Sequence, residues 1–191
     1  MFKQAALPFF EMSSELRQDR SWIRNLVLVI GGSFLIALFA RIAIPLPFSP
    51  VPIALQGHLC LLLGVLFGSR IGALMVLTYL LQGALGMPVF ALGRAGIPIL
   101  LGPTGGYLIG YVLGTWVTGY LVERSGSKNL RQGCLAMVIG NLLIYLCGLS
   151  QLSLFVGIER VFLVGMLPFL LGDSLKLVVA HRVLKALKFN G

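Results

Sequence analysis

Long apolar runs constrain this chain more than any other feature. Residues 26–44, 105–122, 134–149 and 168–187 consist mostly of Leu, Ile, Val, Phe, Ala and Gly, with few charges. About 20 such residues cross the hydrocarbon core of a bilayer when helical. No water inside a bilayer is available to bond the backbone, so a helix is what each run can form there. Composition points the same way. The chain is 58% hydrophobic and 11% charged over 191 residues, with a mean hydropathy of +0.96. A soluble domain of that size has too few polar groups to cover its surface. The expected fold is all-α and integral to the membrane. Six helices are expected, at 26–44, 54–67, 71–85, 105–122, 134–149 and 168–187, with a loop lid on the external side. Residues 1–25 read as a cytoplasmic N-terminal segment, 26–187 as one transmembrane domain, and 188–191 as a cytoplasmic tail.

The basic residues orient this bundle. With the N-terminus inside, eleven Lys and Arg fall on the cytoplasmic side, among them Arg17, Arg20, Arg24, Arg70, Arg124 and Arg131. Three, Arg41, Arg94 and Arg160, fall outside. Such a bias places Lys and Arg on the cytoplasmic face and puts both termini there. It also accounts for the net charge of +9 through cytoplasmic loops and lipid headgroups, with no nucleic acid required. Cys60, Cys134 and Cys147 sit in apolar stretches without metal-ligand or redox spacing, and read as small buried hydrophobes. Residues 150–167 are apolar but broken by Gly157, Glu159, Arg160 and Gly165, which suits a short external helix.

Two external segments are irregular. Residues 44–52 read Ile-Pro-Leu-Pro-Phe-Ser-Pro-Val-Pro. Pro45, Pro47, Pro50 and Pro52 remove four backbone donors and favour an extended path, so this stretch, with Phe48 at its centre, is expected to lie over the bundle as a lid. Residues 83–106 are rich in glycine and proline and end in Gly-Pro-Thr-Gly-Gly. Irregular backbone at membrane depth is tolerated where it packs in protein or lines a wet cavity. The run lacks the Gly-Lys-Ser/Thr ending of a phosphate loop.

Asp173 and Lys176 interrupt the last apolar run one helical turn apart. A charge at membrane depth costs roughly 2.5–3.5 kcal/mol, and spanning a membrane does not need it. Two opposite charges at i, i+3 share one helix face. They offer an acceptor and a donor together, which suits a neutral group carrying both N–H and C=O. The alternative is a structural ion pair that fixes helix packing. Gln56, Tyr79, Asn141 and Tyr145 are also polar where leucine would cost less, and Asn141 and Tyr145 share a face at i, i+4. Each is either a ligand contact or an interhelical hydrogen bond. Arg94 is the external cation without an acidic neighbour and suits a ligand carboxylate, which Arg grips with two parallel bonds. Its alternative is a solvated loop position.

The proline loop through Gln56, the run from Tyr79 to Ala91, the run Gly-Pro-Thr-Gly-Gly-Tyr-Leu-Ile-Gly-Tyr ending at Tyr111, and Pro-Phe-Leu-Leu-Gly-Asp-Ser-Leu-Lys ending at Lys176 together resemble the BioY family. Its members are the biotin-specific substrate-binding (S) components of energy-coupling factor (ECF) transporters. The resemblance covers residues 30–180. It implies a six-helix bundle that takes biotin from outside, a bacterial cytoplasmic membrane, and no cofactor or metal. It also implies a transmembrane coupling protein and two ATPase subunits as partners. By the resemblance, Asp173 and Lys176 hold the ureido ring and the proline loop closes over it. S components dock on the coupling protein through small residues four apart on the first helix. Here the series is Ser33 and Ala37, and it stops at Arg41.

Two other functions fit a chain of this composition. A stand-alone carrier for a small solute needs no further chain, though no inverted repeat or pair of broken helices supports it. An intramembrane serine protease needs a Gly-x-Ser-Gly nucleophile and a histidine base on another span. Ser125-Gly126 lies in a cytoplasmic loop, and neither His58 nor His181 has a placed serine. The chain therefore reads as a transport component and not an enzyme.

Overall fold

A computed structural model describes the backbone of residues 7–125 and 130–186, with side chains from Trp22 onward apart from residue 171. The chain order is α1 (Leu7–Ala40), β1 (Ala43–Leu46), β2 (Ser49–Ala54), α2 (Gln56–Ala84), a short 3-10 turn (Ala91–Gly93), α3 (Ile97–Leu101), α4 (Gly105–Arg124), α5 (Leu130–Val156), α6 (Ile158–Gly165) and α7 (Leu167–Ala186). The molecule is mostly helical. Four stretches, Trp22–Ala40, Gln56–Ala84, Leu130–Val156 and Ile158–Ala186, are long and apolar enough to cross a membrane. Large apolar side chains such as Leu38, Leu113, Leu142, Leu146 and Val179 stand exposed around the outside. In water that surface would drive aggregation; against lipid it is the favourable arrangement.

The helix α2 is two arms. Gly68 adopts φ 83° and ψ 176°, a conformation open mainly to glycine, and the helix breaks there. The chain reverses at this point. A Cβ on Gly72 would lie 3.0 Å from the Cα of Gly64, whereas eight residues of straight helix span about 12 Å. The hydroxyl of Tyr79 likewise donates to Oε1 of Gln56 at 2.8 Å, across what a straight helix would separate by about 34 Å. Glu123 secures the corner. Its carboxylate accepts the Ser69 backbone N–H at 2.8 Å and the Ser69 hydroxyl at 2.7 Å. Ser69 is thereby capped at the start of the second arm.

At the centre α4 packs between α2 and α5. Close approach is possible because its facing positions are glycines. A Cβ at Gly114 would sit 2.8 Å from the carbonyl of Gly140 on α5, and one at Gly110 would sit 2.9 Å from the Ile144 Cα. Small residues at such seams let backbones touch where no hydrophobic force between helices operates. The ribbon, the 85–104 connection, α6 and the start of α7 gather at one end of the bundle. The Gly68 corner, with Glu123 against it, lies at the other.

Several expectations change. The fold is not purely helical, because the proline segment pairs into a two-stranded antiparallel ribbon with Ala43 opposite Ala54 and Leu46 opposite Ser49. Register is irregular between Ile44 and Leu46, around Pro45, which has no N–H to give. The segment expected before residue 26 is continuous with the first helix from Leu7. The apolar stretch 150–167 divides between the end of α5 and the short α6. The tail at 188–191 lies outside the described residues.

Candidate functional site: a lidded polar cavity

The polar residues of the last two long helices converge on Asp173. The Tyr145 hydroxyl donates to its Oδ2 at 2.5 Å and the Asn141 side-chain N–H at 3.0 Å. The ammonium of Lys176 donates to Oδ1 at 3.2 Å. Asp173 and Lys176 side chains are only 14% and 11% exposed. Three donors on one carboxylate make its ionised form tenable at this depth. The i, i+4 spacing of Asn141 and Tyr145 presents both to the same carboxylate, so the shared face legible in the sequence is real.

The ion pair lies beside free space. Asp173, Lys176, Asn141, Tyr145 and His58 line a cavity of about 50 Å³. A second cavity of about 30 Å³ is bordered by Arg94, Gln56, Phe90 and Thr104. Val51, Pro52, Ala54, Tyr107 and Tyr111 border both. The two cavities are thus one seam beneath β2, with the carboxylate–ammonium couple toward one end and Arg94 at the rim of the other.

The ribbon is fastened at both ends of its inner strand. The Lys176 ammonium donates to the Ala54 carbonyl at 2.9 Å, so the same cation holds Asp173 and the root of the lid. Near the tip, the Ser49 hydroxyl donates to the Val164 carbonyl at 2.8 Å and accepts the Val51 N–H at 3.2 Å. The Tyr107 hydroxyl donates to the neighbouring Gly165 carbonyl at 2.6 Å. The ribbon and α4 are therefore both tied to the corner between α6 and α7.

Sequence-selected residues fall into three groups. Asp173, Lys176, Asn141, Tyr145, Gln56 and Arg94 border the seam. Tyr79 does not. It is 0% exposed and stands behind Gln56, whose side chain it fixes. Of the lid residues, Pro52 borders both cavities, while Pro45, Pro47, Phe48 and Pro50 are exposed on the outer face.

Ser33 and Ala37 are a correction. They are 0% and 8% exposed and face α2, not the outside. The Gln82 side-chain N–H donates to the Ser33 hydroxyl at 3.0 Å, and that hydroxyl donates to Ile30 O. Their small size serves packing within the bundle. The open face of α1 carries Val27, Ile30, Phe34 and Leu38 instead.

Tyr107, Tyr111 and His58 also belong to the seam, beyond the site residues expected from sequence. The two tyrosines carried the same i, i+4 signal on α4 as Asn141 and Tyr145 on α5.

An apolar-surfaced helical bundle with a lidded polar seam is a multi-pass membrane protein built to bind a small polar solute. A model of the BioY family matches residues 11–190, and the chain belongs to that family. It is 39% identical over 164 residues to a protein of Thermotoga maritima named biotin transporter BioY, covering 84% of this chain and 95% of the relative. It is also 39% identical over 167 residues to a biotin transporter BioY of Rhizobium etli, covering 82% and 89%. Among solved structures it is similar to the crystal structure of the S-component for biotin from an ECF-type ABC transporter. That match has a TM-score of 0.79 and 25% identity, over 90% of this chain and 94% of the other.

Proposed function

We propose that this chain captures biotin and serves its uptake as the S component of an ECF transporter. In this reading it crosses a bacterial cytoplasmic membrane six times with both termini inside. It works with a transmembrane coupling protein and two ATPase subunits, since its own sequence holds no nucleotide motif. One observation carries the reading: a carboxylate and an ammonium 3.2 Å apart face free space under a tethered ribbon. A cyclic urea has N–H donors for Asp173 and a carbonyl for Lys176. The valerate carboxylate then runs along the seam to Arg94, where a guanidinium offers a bidentate grip. Gln56, held by Tyr79, lines the path between. The biotin-specific relatives and the fold of the biotin S-component support this assignment.

Spaces of about 50 and 30 Å³ admit water but lie well below the roughly 300 Å³ at which small-molecule pockets begin. Entry therefore lifts the ribbon. That movement breaks the Ser49–Val164 bond and stretches the Lys176–Ala54 bond. Ligand binding and lid closure meet at one ammonium.

A second reading, the stand-alone carrier, is favoured by one observation. The small residues Ser33 and Ala37 are used within the bundle, and among the described residues the outside of α1 carries the larger Val27, Ile30, Phe34 and Leu38. Titrating the purified chain with biotin and with riboflavin tests the ligand: saturable binding of biotin alone is expected, and no biotin binding overturns the assignment. Uptake of labelled biotin by cells making this chain with and without a coupling protein and ATPases separates the two readings.

A further inference from the structure

His58 stands two residues into the first arm of α2 and is 9% exposed. One side of its ring lines the cavity of Asp173 and Lys176. The residue also borders a mainly apolar groove walled by Phe39, Leu59, Leu62 and Val179, in which Lys176 is the one other polar side chain. Among the described residues its ring makes no side-chain hydrogen bond, and Nδ1 stands 3.7 Å from Oδ1 of Asp173. That is beyond hydrogen-bond length. A buried polar ring without a bond is costly unless something completes it.

The carboxylate shows where completion comes from. A carboxylate offers about four lone-pair directions. Oδ2 of Asp173 already accepts from Tyr145 and Asn141. Oδ1 accepts from Lys176 at 3.2 Å and stands 3.7 Å from His58 Nδ1, with capacity left for a further N–H. An acceptor oxygen and an imidazole nitrogen thus sit side by side at the cavity wall. One edge of a cyclic urea presents the complement, an N–H beside a carbonyl oxygen. Resting on the biotin reading above, we infer that His58 is a further ligand-binding residue: its Nδ1–H donates to the urea carbonyl together with Lys176, while Asp173 Oδ1 accepts the adjacent N–H. Lys176 has a proton to spare for this, since its three donors serve two protein acceptors. An imidazole that carries hydrogen on Nδ1 donates there whether or not the other nitrogen is protonated.

The test compares biotin with 2-thiobiotin, in which a weakly accepting sulfur replaces the urea oxygen. On the purified chain, His58→Ala is expected to weaken biotin about tenfold, the value of one hydrogen bond of about 1.4 kcal/mol. It should change 2-thiobiotin by less than about threefold. His58→Asn, which places an amide N–H near the position of Nδ1, should recover most of the biotin affinity. Equal losses for the two ligands would make His58 structural, and wild-type biotin affinity in His58→Ala would remove it from the site. Should the alanine variant not survive purification, His58→Asn and His58→Gln decide. Near-wild-type biotin binding in the first with weakened binding in the second supports the inference; equal behaviour of the two overturns it. Failure of the unaltered chain to bind biotin is a separate result, which rejects the ligand assignment itself.

Discussion

Replacing Lys176 with methionine separates the role of the ion pair in folding from its role in binding. Methionine keeps the length of the side chain and removes the charge. In the folded protein two bonds disappear, to Asp173 Oδ1 at 3.2 Å and to Ala54 O at 2.9 Å. Asp173, 14% exposed, is left without its cation. Breaking a buried pair from one side costs about 3–5 kcal/mol. Tyr145 and Asn141 still donate to the carboxylate, so a loss nearer 2–3 kcal/mol is expected. That corresponds to a fall of roughly 4–12 °C in the midpoint of thermal unfolding. Binding loses a charge-assisted bond to the urea carbonyl, worth about 1.5–3 kcal/mol, or roughly ten- to 150-fold in affinity. The double variant Asp173→Asn with Lys176→Met leaves no charge unpaired, so its stability should return to within about 1 kcal/mol of the parent. Its affinity should not return. Unfolding followed by the fluorescence of Trp22 and Trp116, together with biotin titration of each variant, gives both quantities. Recovery of affinity along with stability in the double variant would refute the reasoning and make the pair purely structural. Additive stability losses would refute the claim that the two charges compensate each other.

Three further outcomes follow from the same geometry. Ser49→Ala removes the tie between the ribbon and Val164, so biotin should dissociate about three- to tenfold faster with little change in ligand preference, as measured by stopped-flow release. Gly68→Ala forces a side chain onto a positive φ and against Oε1 of Glu123, lowering stability by about 1–3 kcal/mol; because the corner lies at the far end from the seam, the affinity of the folded fraction should stay within about twofold. Arg94→Ala should weaken biotin more than biotin amide, and equal losses would remove Arg94 from the carboxylate.

Much of this architecture is legible in the sequence because the membrane penalises exceptions. Apolar runs locate the long helices, and the break in α2 at Gly68 falls between the runs expected at 54–67 and 71–85. Asp173, Lys176, Asn141 and Tyr145 stand out because polar groups at membrane depth need partners, and here they partner each other. Four prolines force the lid into an extended path. Its pairing and fastening were not legible, because the Ser49 bond closes on a backbone carbonyl 115 residues away. Ser33 and Ala37 face inward on α1, against the expectation, for a related reason. Small residues mark a close contact but do not say whether the neighbour is inside or outside the bundle. Glycines at every fourth position of α4, Gly106, Gly110 and Gly114, carried the same signal more strongly and mark the α4–α5 seam. Tyr79 is polar for the sake of Gln56, a purpose that only the reversal at Gly68 reveals.

A structure of this chain crystallised with biotin tests the central claim most directly. The ureido ring should lie within hydrogen-bond distance of Asp173 Oδ1 and Lys176 Nζ beneath β2, with the valerate chain pointing to Arg94. Biotin seated away from that couple, or turned so that its carboxylate meets Lys176, would contradict it.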